Sequence, residues 1–280
     1  MAPPIGLIAG QGLLPILEAR GMRAAGREVV CVGLADQYEP ELRGECDRFA
    51  EAGVVRLGRW IRLLRKWGAS EAVMVGRVSK ARMYQPLRLV RQLPDWRAAR
   101  LWYRVLRHDK RDQHLLSAVA DELSRNGVSL IDSTRYIPDH LATPGVMTRR
   151  EPSGEQWAEI RFAWPLLMRM SELDVGQAIA VKERDVIAVE AIEGTDAMIE
   201  RAGRLCPSAG WLLAKGAPPE KDLRFDVPTV GVQTLENLAR SGGRCLALAA
   251  GRVILADKAE VLAAADRLGV SVVGVSEGDV

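Results

Sequence analysis

Apolar and polar positions follow two different periods along the first half of the chain. Short unbroken apolar runs, PIGLIAG (4–10), EVVCVGL (28–34) and EAVMVG (71–76), predict strands buried on both faces. Between them, LLPILEARGMRAAG (13–26) and LGRWIRLLRKWG (57–68) repeat apolar residues three and four apart and close on Gly26 and Gly68. That pattern predicts amphipathic helices with glycine stops. DQHLLSAVADELSRNG (112–127) predicts another helix, with Leu115, Leu116, Val119 and Leu123 on one face, and VSLIDST (128–134) a further strand. Strands separated by helices of this length predict βαβ units and a parallel sheet.

A composition break follows. Three prolines and two glycines in RYIPDHLATPGVMTRREPSG predict a linker over 134–153, between a Rossmann-like domain (1–133) and a second domain (154–280). GEQWAEIRFAWPLLMRMSELDVGQ predicts a helix bent at Pro165, and AIAVKERDVIAVEA a hairpin around its charged turn. Beyond it, strand and helix alternate again: GTDAMIERAG, TLENLARSGG and KAEVLAAADRLG as helices, GWLLAKG, CLALAA, RVILAD and VSVVGV as strands. The expected fold is α/β, a parallel N-terminal sheet followed by a mixed α/β domain.

Composition narrows the class. At 280 residues, 48% hydrophobic and 27% charged, the chain is globular and long enough to bury a core without disulfides. Its four cysteines have no metal-ligand spacing, and Cys31 and Cys245 lie inside apolar runs as buried small residues. No signal peptide and no run of about 18 apolar residues is present, so an intracellular protein with at most peripheral membrane contact is expected. The net charge of +3 is mild, but Arg77–Arg111 holds eleven Lys and Arg against Asp95 and Asp109, interleaved with Tyr84, Trp96, Trp102 and Tyr103. That span suits an anionic lipid surface or a phosphate-rich ligand, or it is a solvated helix face. No nucleic-acid module accompanies it, so no nucleic-acid partner is expected.

Four stretches carry candidate chemistry. Gly10-Gln11-Gly12 follows a strand and opens a helix, where backbone amides can meet a phosphate. Pro15 replaces the third glycine of a dinucleotide fingerprint, so a nucleotide-cofactor oxidoreductase is the alternative reading rather than the leading one. In VEAIEGTDAM, Glu190, Glu193 and Asp196 flank Gly194-Thr195. These oxygen donors suit Mg²⁺, while Thr195 or Asp196 could equally cap the helix. In RFDVPTVGVQT, Pro228 holds Val227 extended, fixing Asp226 at a strand-like position that is either structural or placed to orient water or bind metal. Lys215, in LLAKGAPPE, could neutralise a phosphate ester.

Together GLIAGQGLLP, DVGQAIAV, VIAVEAIEGTDAM, LLAKGAPP and RFDVPTVGVQT resemble the LpxI-type UDP-2,3-diacylglucosamine pyrophosphatases, over nearly the whole chain. The resemblance implies a Mg²⁺-dependent, dimeric hydrolase of lipid A biosynthesis in Gram-negative bacteria. Such an enzyme cleaves UDP-2,3-diacylglucosamine to UMP and 2,3-diacylglucosamine 1-phosphate (lipid X) at the inner-membrane surface. It implies Asp226 as the key catalytic aspartate, with Lys215, and metal ligands drawn from Asp226, Glu190, Glu193 and Asp196. It also implies substrate contacts from Gly10, Gly12, Gly76, Ser79, Lys80, Asp112, Gly194, Thr195 and Thr229, and places the 77–111 span beside the acyl-chain entrance. The chain departs from the family where Gln11 interrupts a glycine triplet and where Asp112-Gln113 stands for an acidic pair.

Overall fold

A computed structural model describes residues 2–78, 94–101, 103, 112–225 and 227–280. The chain forms two compact units, Met1–Ile137 with Asp222–Asp226, and Pro138–Lys221 with Val227–Val280.

The first unit is a five-stranded sheet of β1 (Ile5–Ala9), β2 (Val29–Leu34), β3 (Arg48–Ala52), β4 (Glu71–Val75) and β5 (Ser129–Leu130), in the order β3-β2-β1-β4-β5. Every pairing is parallel. Side chains alternate between two cores, as the pleat demands. Ile5, Leu7, Val29, Cys31 and Val73 face α1 (Leu14–Ala24), whose Ile16, Ala19 and Met22 join them. Ile8, Val30, Val32 and Ala72 lie on the other face with Trp60, Ile61 and Leu64 of α2 (Leu57–Lys66). Helices on both faces explain why these strands read as continuous apolar runs. β3 escaped the sequence pattern because it is an edge strand, RFAEA, that buries only Ala52.

Two further helices belong to this unit, α3 (Trp96–Leu101) and α4 (Asp112–Arg125), the latter contributing Ala120 and Leu123 to the second core. That core also takes Phe225, from a segment far along the chain. Ser133 secures the segment, its backbone N–H and Oγ both donating to the Leu223 carbonyl at 2.9 and 2.8 Å.

The second unit carries a mixed sheet ordered β6-β13-β11-β9-β7-β8: Gly145–Val146, Ser271–Val275, Gly243–Ala249, Trp211–Lys215, Ala178–Lys182 and Asp185–Val189. The three central strands, β13, β11 and β9, are parallel; β6, β7 and β8 pair antiparallel. Its helices are α5 (Gly154–Glu172), α6 (Thr195–Leu205), α7 (Val232–Arg240) and α8 (Lys258–Leu268). A reciprocal capping box between Ser153 and Gln156 starts α5, and Pro165 sits inside it without ending it. The β7–β8 turn uses Glu183 and Arg184, both at positive φ (52° and 60°), as a two-residue hairpin with right-handed strand twist requires. Glu159 of α5 accepts the Glu183 N–H and braces that conformation.

Two expectations change. The stretch 134–153 is not a free linker: residues up to Ile137 belong to the first unit, while Gly145–Val146 pairs with β13 in the second. RVILAD contributes only β12 (Ile254–Leu255), which pairs with β10 (Thr229–Val230) in a separate two-stranded sheet rather than joining the main one.

Candidate functional site

In the second unit β7 lies between β8 and β9, and its first residue sets the site. Ala178 pairs with Lys215, the last residue of β9, while its carbonyl accepts the N–H of Glu190, just past the end of β8. Lys215 and Glu190 therefore flank one backbone position from opposite sides. Gly176 permits this approach, since a Cβ there would stand 2.0 Å from the Glu190 carbonyl oxygen. Both charged residues are buried, Glu190 to 7% exposure and Lys215 to 4%.

Thr195 links them. Its Oγ1 donates to Glu190 Oε1 at 2.7 Å and accepts from Lys215 Nζ at 2.6 Å. Lys215 Nζ also stands 3.8 Å from Glu190 Oε2, which accepts no hydrogen bond among the described residues. The neighbouring ammonium lets the carboxylate stay buried; alone, such a charge would be costly. Chemically, the group is a buried cation and a hydroxyl at a helix start, suited to charge on a phosphate oxygen.

The capping alternative is overturned. Gly194 is the N-cap of α6, at φ 82°, and no side chain caps the helix; the Thr195 hydroxyl is turned to Glu190 instead. Glu193 is engaged elsewhere: Arg201 forms an ion pair with it and donates to the Val189 carbonyl at 2.8 Å. The Arg201 hydrogen bond holds the Glu193 carboxyl below its ordinary range. Asp196 is exposed in the first turn of α6. Thr229 Oγ1 donates to the Val227 carbonyl at 3.1 Å within the β10 segment. Asp226, Ser79 and Lys80 lie outside the described residues, as does the Asp112 side chain. Among the described residues, no three His, Cys, Asp or Glu side chains gather as a metal site, and no helix is long and apolar enough to cross a membrane. Trp96 and Tyr103 of the basic span are exposed, and most of that span lies outside the described residues.

In the first unit, Gly10 and Gly76 meet at the carboxyl ends of β1 and β4, where the strand order reverses, the usual ligand crevice of such sheets. The contact is backbone on backbone: a Cβ on either would come within 2.7 Å of the other's main chain. The turn's amides are already used. Gly10 N–H donates to the Val75 carbonyl, Gln11 N–H to the Arg77 carbonyl, and Gly12 N–H to Glu39 Oε1 at 3.1 Å. A cofactor diphosphate would need those amides, so this geometry counts against the oxidoreductase alternative.

Arg201 and Gly176 escaped the sequence reading. Gly176 lies within DVGQAIAV but has no role of its own there, and Arg201 falls in none of the stretches that carry the resemblance; only tertiary contact reveals what they do, although a glycine just before a buried strand hints at close backbone approach.

Comparison with known proteins agrees with this two-part organisation. Residues 4–140 match the LpxI N-terminal domain and residues 143–273 the LpxI C-terminal domain. One curated relative, the UDP-2,3-diacylglucosamine pyrophosphatase LpxI of Caulobacter vibrioides, is 34% identical over 97% of this chain and 97% of its own length. Among solved structures, the biotin carboxylase domain of Hydrogenobacter thermophilus 2-oxoglutarate carboxylase overlaps 75% of this chain and 42% of its own, at 12% identity and a TM-score of 0.28. The biotin carboxylase domain of a single-chain bacterial carboxylase overlaps 73% and 55%, at 13% identity and a TM-score of 0.23. Superpositions that loose bear on neither fold nor function. With both domain models matched in order across nearly the whole sequence, and a full-length relative above 30% identity, the chain belongs to the LpxI family.

Proposed function

We propose that this protein hydrolyses the diphosphate of UDP-2,3-diacylglucosamine, releasing UMP and 2,3-diacylglucosamine 1-phosphate for lipid A biosynthesis. The observation that carries the reading is the full-length similarity to an LpxI pyrophosphatase. The buried Lys215–Thr195–Glu190 group supports it as a chemically suitable place for a diphosphate.

In this reading Lys215 and the amides at the start of α6 bind the diphosphate oxygens and oppose the charge that accumulates on them. Thr195 holds Lys215 and Glu190 in register. Asp226 orients the attacking water and takes its proton. Mg²⁺ is the proposed cofactor. Glu190, with an oxygen that accepts no hydrogen bond among the described residues, would hold it together with Asp196, oxygen donors that suit this ion. Bound there, it would neutralise diphosphate charge. Glu193, paired with Arg201, is left out of that set.

The substrate's acyl chains call for a cytoplasmic protein working peripherally at the inner-membrane surface, and the family resemblance for a homodimer. The decisive experiment is incubation with UDP-2,3-diacylglucosamine, with and without EDTA, followed by mass spectrometry. UMP and lipid X should form in equal amounts and disappear with EDTA; no UMP from the untreated protein refutes the reading. Asp226→Ala should abolish UMP release while leaving folding and substrate binding intact, and a fully active variant removes Asp226 from the mechanism.

A further inference from the structure

We propose that Arg201 is a positioning residue for this reaction, clamping the turn that presents Glu190 and Thr195; the inference rests on the function proposed above. The turn Glu190–Gly194 has little packing of its own. Ala191, Ile192 and Glu193 are all exposed, Ile192 completely, and Gly194 adopts positive φ. Its internal hydrogen bond, from Gly194 N–H to the Ala191 carbonyl, is long at 3.3 Å. Such a segment is free to drift unless something spans it.

Arg201 spans it. From the α6 helix that the turn leads into, its guanidinium reaches back to both ends of the turn. Nη2 donates to the carbonyl of Val189, immediately before Glu190, and pairs with the carboxylate of Glu193, immediately before Gly194. A planar, permanently charged guanidinium can hold a carbonyl and a carboxylate together, which a lysine ammonium matches poorly. The acid stays ionised because Arg201 holds its carboxyl below the ordinary range. Gly176 bounds the other side of Glu190 by close backbone contact. Between these two supports lie the 2.7 Å Thr195–Glu190 and 2.6 Å Lys215–Thr195 hydrogen bonds, which a shift of the turn would break. Arg201 acts on them through the turn, by its bonds to Val189 and Glu193. Glu193 is accordingly the clamp's acid and no metal ligand.

The test compares Arg201→Ala with Glu193→Ala, using UMP release from UDP-2,3-diacylglucosamine and hydrogen exchange of the turn. Misplacing reactive groups by about 1 Å costs up to roughly a hundredfold in rate. Arg201→Ala should therefore lose about tenfold to a hundredfold in kcat, with KM little changed and faster exchange over 190–196. Added guanidinium ion should restore part of the lost rate. Glu193→Ala keeps the Val189 contact, so it should lose less, with an unchanged Mg²⁺ requirement. Unchanged kcat and exchange in Arg201→Ala overturn the clamp, and so does a lost rate that guanidinium leaves where it was. A raised Mg²⁺ requirement in Glu193→Ala overturns the assignment of Glu193. Wild-type protein that releases no UMP instead refutes the function, and with it any catalytic purpose for the clamp.

Discussion

Glu18 sits on α1 with no exposure, and neither carboxylate oxygen has a hydrogen-bond partner among the described residues. Burial, followed by the nearby Asp132 carboxylate, raises its pKa from 4.5 to about 8. The folded first unit thus keeps a proton that the unfolded chain gives up near pH 4.5. Its stabilising contribution is complete below that pH and is lost as pH rises to about 8, at about 1.4 kcal/mol per unit. Across the whole window this amounts to something on the order of 5 kcal/mol. Glu18→Gln has nearly the same shape and no titration. The variant should therefore gain stability on wild type steadily from pH 5 to 8, and the difference should level off above that. Cys31, fully buried in the core that α1 covers, gives an assay specific to this unit: pulse alkylation of Cys31 along a urea gradient, read by mass spectrometry at each pH. Asp132→Asn removes the lesser cause and should move the window to lower pH. Parallel urea midpoints for wild type and Glu18→Gln from pH 5 to 8 would refute a buried, protonated Glu18.

Three further substitutions probe the second unit. Lys215→Met strands the Glu190 carboxylate; breaking a buried pair this way costs about 3–5 kcal/mol, visible as a lower melting temperature, and UMP release should fall at least a hundredfold. Adding Glu190→Gln should restore much of the stability and none of the activity; full recovery of activity would show that neither charge takes part. Gly176→Ala forces a methyl against the Glu190 carbonyl, so it should destabilise the unit by about 1–3 kcal/mol and reduce UMP release; a variant that melts like wild type contradicts the close approach.

Much of the candidate site was legible as residue types and little of it as geometry. The carboxylates and the hydroxyl of EGTDAM stand out at a strand-to-helix turn, yet sequence spacing could not separate helix capping from ligand binding. The hydrogen bonds from Thr195 to Glu190 and from Lys215 to Thr195 decided against capping. Lys215, twenty-five positions after Glu190, is brought alongside it because β7 lies between β8 and β9. Sequence adjacency carries no trace of that order.

Local periodicity determined the rest. Strands buried on both faces must be apolar throughout, and amphipathic helices must repeat at three and four. These signals depend on neighbours within a turn or two, so the alternation of elements and the α/β class followed from sequence. What only the tertiary structure decided involves partners far apart in the chain: Phe225 entering the first unit's core, β12 leaving the main sheet for β10, Glu18 sealed from water on a helix whose sequence shows it as just another charge, and Arg201 reaching back across the turn before its own helix. Burial and non-local hydrogen bonding are properties of the assembled unit, and they turn ordinary residue types into a site.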